Sequence, residues 1–245
     1  MLDVNVMLDA VVFSSLLTLL SLGLTLTYLT TKVPNFAHGS MSTIGIYVSL
    51  IMTRVLGTNI YIGIAPAFLF AGMVAVIQYL LVIRPLDKRK ASITTMMVAT
   101  IAFELLLLSS MNILADYLSK TFLILSRYFQ LNLFDFKFME VRGVVLVAPL
   151  MVLLIVFSLY LLLVKTKFGI AMRATIENAP LAGTVGVNSD LVYLISWFLA
   201  GGLAGIAGSM LPLWFIGNPD TGSYLLISIF AASVVGGLYN IYGAV

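Results

Sequence analysis

FGIAMRATIENAPLAGTVGVNSD, residues 168–190, is a polar insert between two strongly apolar runs, 142–164 and 191–213. Lys165, Lys167 and Arg173 crowd its start. A hydrophilic piece between two greasy runs reads as the connector of two membrane helices, and its basic residues put it on the cytoplasmic side. The Ala-rich part, 168–178, favours a helix that Pro180 interrupts. A short helix lying across the base of a membrane is suited to seat in the groove of a partner protein.

Outside this insert polar residues are scarce. Of 245 residues 61% are hydrophobic and 9% charged, where a soluble domain carries roughly 25% charged residues. So few charges do not cover a surface in water. The fold class is therefore all-α, a polytopic multi-pass membrane protein forming a single transmembrane domain over 1–245. About 20 apolar residues span the hydrocarbon as helix. The stretches 8–30, 35–56, 60–83, 92–115, 142–164, 191–213 and 223–245 meet or approach that length, which predicts about seven spans. The first begins from an acidic N-terminus, with Asp3 before it and Asp9 at its start; it lacks the basic start of a signal peptide and reads as a retained helix.

The second stretch is the most polar. It opens Pro34-Asn35-Phe36-Ala37-His38-Gly39-Ser40 and continues through Ser42, Thr43, Gly45 and Tyr47. Small and polar groups belong against other helices, so this segment should face protein, with its first turn broken or the whole re-entrant. The third is stopped at Ile83 by Arg84-Pro85-Leu86-Asp87-Lys88-Arg89-Lys90, a net +3 that marks a cytoplasmic loop. The fourth carries Glu104 in its interior. Residues 116–141 form an extracytoplasmic connector of nearly balanced charge. In it Phe134, Phe136 and Phe138 alternate with Asp135 and Lys137, the period of a short strand or an interfacial segment. Counting back from the two basic loops puts the N-terminus outside. If 35–56 only re-enters, that end moves inside.

The sixth stretch holds Ala200, Gly201, Gly202, Ala204, Gly205, Ala207 and Gly208, with Gly201 and Gly205 spaced for close helix packing. Trp197 and Trp214 flank it as interfacial aromatics do. Gly217-Asn218-Pro219-Asp220 is an outer turn. The seventh stretch stops at Val245 with no polar exit, as a shortened chain would.

Little here supports chemistry on bound groups. Cys is absent and His38 is the one histidine, so a zinc site is disfavoured and no cofactor is implied. GxxxxGK[ST] and HExxH are missing, and no Ser-His-Asp set is evident. The net charge of +3 does not suggest nucleic acid. A chain without a phosphate cradle or catalytic set is disfavoured as an enzyme and works on energy supplied elsewhere.

Arg173, Ala174, Glu177, Asn178, Ala182, Gly186 and Val187 resemble the cytoplasmic loop of inner-membrane permeases of ATP-binding cassette (ABC) importers for branched-chain amino acids, the LivH/LivM type. That loop has the form G-x-A-x-R-A-x-x-E-N, then an alanine and a Gly-aliphatic pair. Asn35-Phe36-Ala37-His38-Gly39 is similar to the N-F-A-H-G signature of the same family, with Ser40 where an acid often follows. Arg84-Pro85-Leu86, Ala99-Thr100-Ile101 and Val235-Gly236-Gly237 resemble further landmarks in order and spacing, so the likeness spans nearly the whole chain. It implies a permease subunit in the cell membrane, paired with a second permease, two ATPase subunits that hydrolyse ATP, and an extracytoplasmic binding protein. Family members usually continue one helix past Val245.

Each singled-out residue has a structural and a functional reading. Arg173 and Glu177 as a pair read as a solvated i,i+4 ion pair of about 0.3–0.5 kcal/mol. With Asn178 and Gly186 they form, by the resemblance, the loop that couples to the ATPase. Asn35, His38 and Gly39 line a translocation path or satisfy a helix start near the membrane face. Glu104 faces a polar interior, as a site for a substrate ammonium or as a structural hydrogen bond between helices. Gly201 and Gly205 serve packing, and the phenylalanine stripe serves as an anchor or as a surface for the binding protein. The expected solute is leucine, isoleucine or valine. The alternatives are an ion-coupled secondary transporter or channel, which needs no ATPase and uses intramembrane charge pairs, and an intramembrane enzyme.

Overall fold

Hydrocarbon offers backbone N–H and C=O groups no partners, so apolar runs close their hydrogen bonds internally as helices. The computed structural model, which describes residues 4–138 and 141–237, is built this way. Its long helices are α1 (Val4–Thr31), α2 (His38–Leu50), α3 (Ile64–Gln78), α5 (Ile93–Phe122), α6 (Gly143–Lys165), α7 (Lys167–Thr184), α8 (Ser189–Met210) and α9 (Thr221–Gly236). The short α4 (Arg84–Lys88) continues α3 through a π-turn at Tyr79–Ile83. Strands β1 (Lys137–Phe138) and β2 (Val141–Arg142) make a small antiparallel hairpin, with Lys137 opposite Arg142. The period-two stripe thus gives a strand only over its last residues.

Among the described residues five helices are long and apolar enough to cross a membrane, fewer than the seven expected. These are Val4–Thr31, Ile60–Lys88, Ile93–Phe122, Gly143–Lys165 and Ser189–Leu213. The other two stretches are helical but short. Thr221–Gly236 is one, and the remainder of the seventh stretch, 238–245, lies outside the described residues. The second stretch is α2 plus a π-turn at Ile51–Val55, preceded by the non-helical residues 32–37.

The third span does not stop at Ile83 as expected. Pro85 sits in the first turn of α4, where its missing N–H costs nothing, and the wider π-turn before it relieves the ring's clash with the preceding turn. Helix also extends past both expected connector boundaries. α5 runs on to Phe122 and ends at Leu123 in a left-handed conformation (φ 54°). The polar insert is itself almost wholly helical as α7.

α8 lies at the centre. Of its apolar window 67% is buried, against 17% for α5, and α1, α2 and α3 pack around it. Its small residues permit this. A Cβ on Gly201 would stand 2.6 Å from the Ala71 carbonyl oxygen, and one on Gly205 2.3 Å from that of Ala67. Trp197, expected at an interface, is fully buried beside Tyr79 at a ring separation of 5.9 Å. The all-round smallness of α8 brings its neighbours over that ring.

Contacts between distant segments define two ends. At one, Arg84 pairs with Asp190 at 2.6 Å, joining the 84–90 segment to the close of the polar insert. Lys32, Lys88, Arg89, Lys90, Lys165, Lys167 and Arg173 make this the basic end. At the other, Phe129 bridges Gly217, the Leu131 N–H donates to the Pro212 carbonyl (2.7 Å), and Trp214 Nε1 donates to Asp9 (2.5 Å). The start of α1 therefore lies at the end opposite the basic one.

Candidate functional site

The chain leaves α1 at Lys32 in a left-handed conformation (φ 55°) and turns back beside it. His38, the first residue of α2, places Nε2 2.9 Å from the carbonyl oxygen of Leu20. Leu20 lies about 16 Å from the Thr31 end at 1.5 Å per residue. Residues 32–37 are therefore a non-helical strap that enters the helix bundle, and α2 starts beside the middle of α1 rather than near a membrane face.

A non-helical strap at that depth must have its polar groups met by other helices. Pro34 carries no N–H. Asn35 Oδ1 accepts from the Ala37 N–H (3.1 Å), and its carboxamide exchanges two hydrogen bonds with Gln78 of α3 (3.2 and 2.9 Å). The Thr100 hydroxyl on α5 accepts from the Phe36 N–H (3.3 Å) and lies 3.4 Å from the Pro34 carbonyl. Asn35, Gln78 and Thr100 are fully buried. Sequence reasoning passed over Gln78, although the rule that singled out Glu104, a lone polar group inside an apolar run, would have found it.

His38 is fully buried. A carbonyl only accepts, so Nε2 carries the proton in this contact, and Nδ1 is left without a partner. Gly23 makes room for the ring: a Cβ there would come 2.8 Å from His38 Cε1. The next residue, Gly39, meets Gly222 at the start of α9, where a Cβ on either would stand 2.2 Å from the other's carbonyl oxygen. The Thr43 hydroxyl accepts from the Gly222 N–H (3.1 Å). α2 and α9 thus cross backbone to backbone.

Beside this crossing lies Glu104, 9% exposed. It accepts from the Ser223 hydroxyl on Oε1 (2.5 Å), and Ser223 is 3.5 Å from Ser40 of α2. Oε2 is buried with no partner. The structure therefore brings Asn35, His38, Gly39 and Glu104 to one region where α1, α2, α5 and α9 meet, and adds Ser40, Gln78, Thr100, Gly222 and Ser223. Ser223 was invisible in the sequence because its meaning depends on a residue more than a hundred positions away.

The other residue group lies at the basic end. Thr166 caps α7 by accepting from the Gly169 N–H (3.3 Å). Gly169 packs directly on the last turn of α6, where a Cβ would lie 1.9 Å from the Leu163 carbonyl oxygen. Arg173 donates to that carbonyl, and no Arg173–Glu177 ion pair occurs among the described residues, contrary to the i,i+4 reading. The helix breaks at Asn178 (φ −156°, ψ 95°), whose side chain accepts from the Leu181 N–H (3.0 Å). The interruption expected from Pro180 thus falls two residues earlier. Asn178 is the cap and Pro180 occupies the first turn of the new helix, where proline is tolerated. Gly186 takes φ 86°, a turn conformation that favours glycine, and Asn188 caps α8 through the Leu191 N–H (3.1 Å). Ile170, Leu181 and Val185 stand 61%, 63% and 76% exposed along this piece, with Glu177 and Asn178 also exposed.

A bundle of long apolar helices with a polar, partly unsatisfied interior and an anchored helix at one end is the architecture of a multi-pass membrane protein. Comparison with known proteins narrows the class. The family described as "Branched-chain amino acid transport system / permease component" matches residues 6–245, and the chain belongs to it. The chain is 44% identical over 235 residues to a probable branched-chain amino acid transport permease protein LivH of Methanocaldococcus jannaschii, covering 96% of this chain and 74% of that protein. It is 25% identical over 241 residues to the high-affinity branched-chain amino acid transport system permease protein BraD of Pseudomonas aeruginosa (92% and 76% covered). It is 24% identical over 256 residues to the LivH permease of Escherichia coli K12 (97% and 80% covered). No solved structure matches. The protein is thus a multi-pass membrane permease of the amino-acid transport class.

Proposed function

We propose that this chain is the permease subunit of an ATP-driven importer for branched-chain amino acids, working beside a second permease, with nucleotide hydrolysed on separate ATPase subunits. The observation that carries the reading is α7. It is a short kinked helix at the basic end, fastened to α6 through Gly169 and Arg173 and joined to α8 by the short turn that Asn188 caps, beside the Arg84–Asp190 pair of α4 and α8, and it presents Ile170, Leu181 and Val185 outward. Exposed apolar side chains on such a helix fit a groove on a partner. The excess of basic residues puts this end in the cytoplasm, where the ATPase is. Closure of the partner then moves α6 and α8 as rigid rods.

The translocation path runs past the start of α2, with Asn35, His38, Gly39 and Glu104 at its side. An extracytoplasmic binding protein docks at the opposite end, on the 116–141 and 211–220 segments. The test is copurification of the chain with ATPase subunits, followed by uptake of L-leucine into liposomes. ATP-dependent uptake that Glu177→Arg and Leu181→Asp abolish, together with loss of the ATPase from the purified complex, is expected. Uptake by the chain alone on an ion gradient would overturn the reading in favour of a secondary transporter.

A further inference from the structure

The end of the molecule opposite α7 holds a cleft of about 390 Å³ lined by Asn5, Leu8, Asp9, Gln130, Val141, Arg142 and Trp214. This volume is within the roughly 300–1,000 Å³ usual for small-ligand clefts. Its chemistry is divided. Asp9, on the first turns of α1, is the acid. Arg142, the residue that precedes α6, is the base. The Trp214 indole stands between them, its Nε1–H on Asp9 (2.5 Å) and its ring face under the Arg142 guanidinium, with Cζ 5.0 Å from the ring centroid. Asp9 and Arg142 do not pair with each other: among the described residues the ion pairs are Arg84–Asp190 and Arg127–Asp116. Gln130 is engaged elsewhere, its amide N–H donating to the Trp214 carbonyl (3.2 Å) and its oxygen accepting from Asn132 (3.4 Å). Leu8 and Val141 supply the apolar wall.

One carboxylate and one guanidinium, held apart by a rigid aromatic beside an aliphatic wall, complement a small molecule that carries a cation and an anion on one carbon and a hydrocarbon side chain. We propose that this cleft binds an aliphatic α-amino acid as its zwitterion, the ammonium on Asp9, the carboxylate on Arg142 and the side chain on Leu8 and Val141. Asp9 keeps one oxygen beyond its contact with the indole, and a guanidinium offers a two-pronged donor edge for a carboxylate. The inference rests on the amino-acid transport reading and deepens it: the cleft is the first stop for solute at the end away from the ATPase, ahead of the buried region around Glu104.

The chain provides its own reporter. It has two tryptophans, Trp197 and Trp214, and the buried Nε1 of Trp197 has no partner, so Trp197→Phe removes an unsatisfied donor and leaves Trp214 as the single emitter. The Trp197→Phe chain in lipid nanodiscs is titrated with L-leucine, N-acetyl-L-leucine and L-leucinamide. Expected is a saturable change of Trp214 emission with L-leucine, and about tenfold or weaker binding of each analogue, because each lacks one charge-assisted contact. Asp9→Asn then removes the preference over N-acetyl-L-leucine and Arg142→Gln that over L-leucinamide. Equilibrium dialysis of labelled L-leucine against the unsubstituted chain and the same two variants gives the answer without relying on Trp197→Phe. Equal binding of all three compounds, or no saturable binding of L-leucine in dialysis, overturns the inference. ATP-dependent leucine uptake by the assembled complex in that case leaves the transport reading standing, and zwitterion binding without nucleotide-dependent uptake does the reverse.

Discussion

Asn35, Gln78 and Thr100 illustrate what one side chain does in this bundle. Each answers a polar group of a strap that no helix can satisfy, in surroundings where water does not help. Removing one partner and leaving a buried donor or acceptor costs about 1–3 kcal/mol. Thr100→Val and Gln78→Leu are each expected to lower thermal stability in detergent by that order, whereas Thr184→Val on the exposed part of α7 leaves it unchanged. Gly39 makes the same point through space rather than polarity. Its Cβ would stand 2.2 Å from a backbone oxygen that cannot step aside, while one on Gly183 meets nothing within 4 Å. Gly39→Ala should therefore cut the yield of folded protein severalfold in size-exclusion chromatography, and Gly183→Ala should not. At Glu104 the unpartnered Oε2 is the feature that separates a transport role from a structural one. Glu104→Gln keeps the hydrogen-bond acceptor for Ser223, so a loss of leucine uptake in a stably assembled complex would point to the charge itself, and normal uptake to a helix-to-helix bond.

At the scale of elements, α7 is two helices, because Asn178 prefers to cap the second rather than continue the first. Asn178→Ala removes a cap worth about 0.5–2 kcal/mol. Amide exchange is then expected to quicken at 181–184 while 168–176 keeps its protection; equal loosening on both sides would mean that the two pieces unfold as one. α2 shows the complementary case. Its sequence is polar for a membrane helix, yet Ser42 and Ser49, like Thr53 in the π-turn that follows, return their hydroxyl protons to carbonyls of the preceding turn, and nearly all of the helix is covered by α3, α8 and α9. This covering was legible in the composition of the stretch. Its late start was not, because the partners of the strap come from α3 and α5.

At the scale of the whole molecule, the two ends differ in charge and in what they gather. The basic end collects 84–90 and α7; the other collects the start of α1, residues 123–138, Arg142 and 211–220. The absence of cysteine makes the arrangement directly testable. Glu177→Cys and Leu133→Cys, both at exposed positions, are expected to react with a membrane-impermeant maleimide from opposite faces of the membrane, Leu133→Cys in intact cells and Glu177→Cys only in opened ones. Labelling of both from one face would break the topology and the docking reading with it.

The amino-acid order by itself determined the membrane class, the all-helical fold, the gathering of basic residues into 84–90 and 165–173, and the motifs that carry the permease resemblance. Those properties follow from local rules: apolar runs must close their own hydrogen bonds in lipid, and basic residues stay on one side of it. Tertiary structure alone decided that, among the described residues, five helices rather than seven are long enough to span, that His38 lies beside Leu20, that Glu104 meets Ser223, and that Asp9 and Arg142 flank one indole. Each of those pairings joins separate segments of the chain; the His38 contact needs the room left by Gly23, and the meeting of Glu104 with Ser223 lies beside the crossing that Gly39 and Gly222 let α2 and α9 make.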